Sequence, residues 1–91
     1  MSRPTLSETI TIAEFWKNRS AQSIRISLST WKGRNLVDVR TWNTEQGRLK
    51  PTTKGFTAEV KHLPRLVSAL VKACRRAREL GLIASDDGGA Q

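Results

Sequence analysis

Polar and apolar residues alternate on both sides of Lys32-Gly33: Ile24-Arg25-Ile26-Ser27-Leu28-Ser29-Thr30-Trp31 before it, Arg34-Asn35-Leu36-Val37-Asp38-Val39-Arg40-Thr41-Trp42 after it. Period-two alternation predicts half-buried strands, and a glycine that tolerates positive φ between two of them predicts a tight hairpin. Turning at Lys32-Gly33 sets Trp31 opposite Arg34. On one face Leu28 then meets Val37, Ile26 meets Val39 and Ile24 meets Thr41. On the other, Ser29 meets Leu36, Ser27 meets Asp38 and Arg25 meets Arg40. A slip of one residue would bury the charges and expose the isoleucines, so the pattern itself fixes this register. Two arginines set directly opposite repel each other, which predicts solvent or an anion such as a phosphate lying across them.

The rest of the chain supplies two more strands and a helix. Ile10, Ile12, Phe15 and Trp16 mark a first strand within Thr9 to Trp16, and Asn18 to Ser23 is a polar connection. Asn43 to Gln46 before Gly47 makes another turn. Pro51 and Gly55 bar a central strand from the stretch after Gly47, leaving a basic loop or an edge. Phe56, Ala58 and Val60 alternate as a short final strand. From Leu63 to Leu80 the spacing of Leu63, Leu66, Val67, Leu70, Cys74, Ala77 and Leu80 predicts an amphipathic helix, with Pro64 in its first turn and Gly81 to end it. Residues 1–8, polar with an early proline, and residues 82–91, ending in Asp-Asp-Gly-Gly-Ala-Gln, are expected to be flexible tails around a domain of residues 9–81.

Composition narrows the classes. A chain of 91 residues holds one domain with a small core, which self-association would help. Sixteen Lys and Arg against eight Asp and Glu give a net charge of +8. Between Thr9 and Gly81 the acids are only Glu14, Asp38, Glu45, Glu59 and Glu79, so the basic excess sits in the folded part. Such a domain attracts polyanions, and charge alone does not choose among nucleic acid, anionic membrane and acidic protein. One cysteine, Cys74, excludes an internal disulfide and fits a reducing compartment. The absence of an apolar run near 20 residues and of a secretory-type start leads to the expectation of a cytoplasmic, DNA-associated protein with no membrane partner.

Catalysis finds no support in the residue inventory. One histidine, one cysteine and scattered carboxylates offer no nucleophile and base, so the expectation is no enzyme. His62 reads as a surface or capping residue before the helix, and Cys74 as a small hydrophobe in the apolar stripe. Neither metal-ligand spacing nor a glycine-rich phosphate loop is present, so no cofactor is expected. What remains is a polar face carrying Arg25, Ser27, Trp31, Lys32, Arg34, Arg40 and Trp42, with Lys50 and Lys54 in the loop beside it. Stacking of bases on aromatic rings next to cations is how single strands are held without reading their sequence. Sheet packing or dimer burial is the competing reading of Trp31 and Trp42, and the role of Trp16 is open.

Three segments, Ile-Ser-Leu-Ser-Thr-Trp-Lys-Gly-Arg, Leu-Val-Asp-Val-Arg-Thr-Trp and Gly-Arg-Leu-Lys-Pro-Thr-Thr-Lys-Gly-Phe, resemble in order and spacing the single-stranded-DNA-binding domain of the positive cofactor four family of transcriptional coactivators, including its short bacterial and phage members. The likeness spans about Ile24 to Leu80. It implies an α+β fold: a curved four-stranded antiparallel sheet followed by one C-terminal helix, dimeric, with Leu66, Leu70, Cys74 and Ala77 at the dimer interface. It also implies that Trp31 is the stacking aromatic at the turn, Lys32 and Arg34 its flanking cations, Arg40 the strand cation, Trp42 a second aromatic, and Lys50 and Lys54 the loop cations. Two departures stand out: Ser29 occupies a position often basic in the family, and the loop after Trp42 is one residue shorter than in the eukaryotic form. The function implied is a homodimeric binder of single-stranded or melted DNA in transcription regulation, replication or repair, with the transcription machinery as a further partner. RNA binding and a basic dimeric protein-interaction adaptor are the alternatives.

Overall fold

The computed structural model describes residues 4–19 and 21–83. Four strands, β1 (Ile10–Trp16), β2 (Gln22–Trp31), β3 (Arg34–Glu45) and β4 (Arg48–Glu59), form one antiparallel sheet in the order β1-β2-β3-β4. A single 3-10 turn, Val60–His62, leads into helix α1 (Leu63–Glu79). The sheet up to Val60 and the segment from Lys61 onward are two compact units.

The central hairpin has the register that alternation dictates, from Trp31 opposite Arg34 through Arg25 opposite Arg40 to Ser23 opposite Trp42. Lys32 (φ 51°) and Gly33 (φ 77°) both turn through the left-handed region, the geometry that matches the twist of the flanking strands. Gln46 (φ 51°) and Gly47 (φ 77°) repeat it between β3 and β4.

Both outer strands are irregular. In β1 the register shifts between Thr11 and Ala13, so Ile12 is an extra residue and the alternation read along this strand is broken there. β4 is longer than the Phe56-to-Val60 strand expected, because it is an edge strand and needs a ladder on one side only, which tolerates Pro51. Its pairing jumps from Gly55 opposite Arg40 to Pro51 opposite Trp42, and Thr52, Thr53 and Lys54 fall outside the register. Gly55 (φ 150°) makes this possible. A Cβ there would collide with the Val39 carbonyl oxygen.

Among the described residues Val37, 2% exposed, is the one buried hydrophobe, and Ser23, Ser27 and Thr41 are the buried polar residues. Ile10, Phe15 and Phe56, on the face that carries Val37, stay exposed. The amino-terminal segment is tied down at two points: the Leu6 N–H donates to Thr30 Oγ1 (2.8 Å) and Asn35 Nδ2 donates to the Pro4 carbonyl (2.9 Å). Residues 84–91, most of the other expected tail, lie outside the described residues.

Helix α1 starts with His62 at the N-cap position, where its side chain makes no capping bond, and with Pro64 in the first turn. Its C-cap is Leu80, and Gly81 (φ 76°) follows in the left-handed conformation that stops helices. Its stripe is only partly covered: Leu66, Cys74 and Ala77 are half-buried, while Leu70 is 58% exposed and Val67 and Val71 are exposed too. No helix among the described residues is long and apolar enough to cross a membrane.

Candidate nucleic-acid interface

Cross-strand partners share a face, so the register places side chains row by row. On the polar face one row holds Trp16, Ser23, Trp42 and Pro51; the next holds Glu14, Arg25, Arg40 and Gly55. A third holds Thr11, Ser27, Asp38 and Thr57, and the hairpin tip ends in Trp31 and Arg34. Along these rows runs an open groove of about 550 Å³, lined by Thr9, Thr11, Ser27, Ser29 and Thr57 hydroxyls, by Arg25 and Asp38, and by the Trp31 and Trp42 rings.

The middle of this face is electrically closed. Arg25 pairs with Glu14 at 3.0 Å, and its guanidinium stacks 4.1 Å from the centre of the Trp42 ring. Arg40 pairs with Asp38 at 2.9 Å and donates from Nη1 to the Thr52 carbonyl, and Thr57 Oγ1 donates to Asp38 Oδ1. Burial pushes the Asp38 carboxyl up, but the Arg40 and Thr57 hydrogen bonds and the Arg40 charge outweigh it and hold the group below its ordinary value. Asp38 in turn raises Arg40, first by hydrogen bond and then by charge. The opposed arginines therefore need no external anion to coexist, contrary to the expectation from the hairpin alone. Each has a carboxylate of its own, one from β1 and one two residues along β3. Two donors here, Arg25 Nε and Trp42 Nε1, are buried without an acceptor in the protein.

The tip is different. Trp31 is 61% exposed, Lys32 Nζ hangs 4.6 Å from its ring centre, and Arg34 reaches Glu59 only at 3.7 Å with most of its side chain in solvent. An ion pair so exposed contributes little and leaves the cation usable.

The structure thus gathers Arg25, Ser27, Trp31, Lys32, Arg34, Arg40 and Trp42 at one face, whereas Lys50 falls on the other and Lys54 lies outside the paired register. Lys50 pairs opposite Asn43, on the face of Ile24 and Thr41, and reaches Glu45 at 3.5 Å. Lys54 lines a small depression with Ile24, Val39, Arg40, Thr41, Gly55 and Phe56. The irregularity in β4 sets both lysines outside the rows that line the groove. Glu14, Thr11 and Thr57 escaped the sequence reading of the site. For Thr57 a signal existed, since it alternates with Phe56 and Ala58; for Glu14 the β1 bulge obscured it. Among the described residues no cluster of three side chains could hold a metal.

The family model described as Transcriptional Coactivator p15 (PC4) matches residues 17–69. Among curated proteins no match is found. Two crystal forms of BPSL1147, a PC4 homolog from Burkholderia pseudomallei K96243, have similar structures. The orthorhombic form is 32% identical, covers 79% of this chain and 97% of its own, and gives a TM-score of 0.68. The tetragonal form is 31% identical, covers 74% and 98%, and gives 0.65. With four antiparallel strands, a following helix and a matching model over more than half its length, the chain belongs to the transcriptional coactivator p15 (PC4) family.

Proposed function

We propose that this protein is a non-enzymatic homodimer that binds single-stranded or locally melted DNA with little sequence preference, in transcription, replication or repair. The observation that carries the reading is the groove on the polar sheet face, with an exposed, cation-flanked Trp31 at one end and a floor of hydroxyls. An exposed indole stacks any base, Lys32 and Arg34 beside it neutralise phosphates, and serines and threonines bond to whichever base or sugar edge faces them. Family membership supports the same chemistry, since the family is a nucleic-acid-binding, non-catalytic one.

The dimer is supported by what one chain leaves uncovered. With Val37 the one buried hydrophobe among the described residues and Leu70 exposed, a second copy meeting the Leu66, Leu70, Cys74 and Ala77 stripe gives the chain the core it lacks. Lys50 and Lys54 contribute in this reading where a strand leaves the groove across the β4 edge.

The test is a salt titration of binding to single-stranded DNA, duplex DNA and RNA of matched sequence, with stoichiometry per dimer. Tightest binding to single-stranded DNA, with log affinity falling linearly against log salt, is expected. Affinity indifferent to salt, or preference for RNA or duplex, refutes it.

A further inference from the structure

We infer that Trp16 is a second base-stacking platform, at the end of the groove opposite Trp31; the inference rests on the single-strand-binding reading above. All three tryptophans of the chain lie on one face of the sheet. Trp16 pairs with Ser23, and Ser23 pairs with Trp42, so the two indoles flank one small residue in a single row. Phe15, its neighbour, pairs with Ile24 and therefore points to the other face. Ser23 is 1% exposed, whereas Trp16, at 65%, is the most exposed tryptophan.

A strand tryptophan that serves packing is covered by its neighbours, as Trp42 is by Arg25. Trp16 is left largely uncovered, and it borders a small depression of about 130 Å³ with Glu14, Phe15, Ser23 and Leu49. Leu49, opposite Thr44 on this face, gives the depression an apolar wall. The site therefore offers a flat aromatic surface, an apolar side and a carboxylate already engaged by Arg25 and Ser23. This combination accepts the π-face of a base and gives no reason to prefer one base over another.

Position along the sheet gives the platform its use. From the row of Trp16 and Ser23 to Trp31, β2 runs eight residues, about 26 Å at the usual strand rise. Two platforms that far apart hold a strand of several nucleotides at both ends, with the hydroxyl-lined groove between them. A short oligonucleotide reaches only one.

The test uses the Trp31→Phe, Trp42→Phe double variant, in which Trp16 is the remaining fluorophore, together with a labelled oligonucleotide of about 20 nucleotides whose anisotropy reports binding independently. Quenching of Trp16 with the same midpoint as the anisotropy change is expected. In the otherwise unchanged protein, Trp16→Ala is expected to weaken binding of the long oligonucleotide about 5- to 100-fold and to leave a trinucleotide unaffected. Anisotropy that reports binding while Trp16 emission stays constant overturns the inference and leaves the single-strand-binding reading standing. Absence of binding by the unmodified protein overturns both.

Discussion

The hairpin tip and the middle of the same sheet face use the same residue types to opposite ends. At the tip, Trp31 is exposed and its cations, Lys32 and Arg34, are weakly engaged. In the middle, Trp42 is half-buried under Arg25, and Arg25 and Arg40 are each held by a carboxylate. A tryptophan beside an arginine is therefore not one signal. Where a close carboxylate holds the arginine, as in the middle, the pair is a piece of structure; where the ion pair is long and exposed, as between Arg34 and Glu59, the cation stays available. Ion pairs pin the middle, and in the proposed function the tip offers its charge and its ring to the DNA.

The most severe way to break this contrast is Gly55→Ala, which forces a Cβ into the Val39 carbonyl beneath the Arg40 row. Chemical denaturation should reveal a loss of at least about 3 kcal/mol; near-normal stability would mean that the middle is not the pinned element. Next comes Asp38→Ala, which takes the carboxylate from a half-buried Arg40 that keeps only the Thr52 carbonyl and Thr57 as partners; it should cost about 1–2 kcal/mol of stability while leaving the tip chemistry in place. Trp31→Ala should do the reverse. Its melting curve should match the parent within about 0.5 kcal/mol, while single-strand binding weakens by about 1–3 kcal/mol; equal losses in both assays would erase the distinction between the regions.

Smaller effects sharpen the contrast. Lys32→Ala or Arg34→Ala should each lower the salt slope of log affinity by about 0.7, whereas a slope unchanged by either would place the phosphates elsewhere. The smallest effect is acid sensitivity. Because Asp38 is held below its ordinary value in the fold, its contribution is complete above the ordinary carboxylate value and is lost as pH falls through the folded one. Stability curves of the parent and of Asp38→Asn should converge in that acid window and separate above it. Parallel curves would deny Asp38 its structural role.

The hairpin was legible to the residue because strict alternation admits a single register and Gly33 accepts positive φ beside Lys32. The helix was equally legible, from Pro64 at its start to Gly81 past its end. Alternation fails where a strand carries an extra residue: Ile12 in β1 hid Glu14 and Trp16 on the polar face, and the jump between Gly55 and Pro51 hid the displacement of Lys50 and Lys54. Neutralisation of the arginines was half visible. Asp38 and Arg40 lie two apart on one strand and must share a face, whereas Glu14 needs a third strand whose register the hairpin cannot supply.

A chain whose described part wraps one valine, Val37, has little to fold around by itself. In the proposed dimer, folding and pairing are then a single mass-action event, and the melting temperature belongs to the solution more than to the molecule, rising with protein concentration. Dilution becomes a denaturant. A cell that makes few copies would hold fewer folded ones than a simple proportion gives, and the supply of active protein would switch on steeply as synthesis increases.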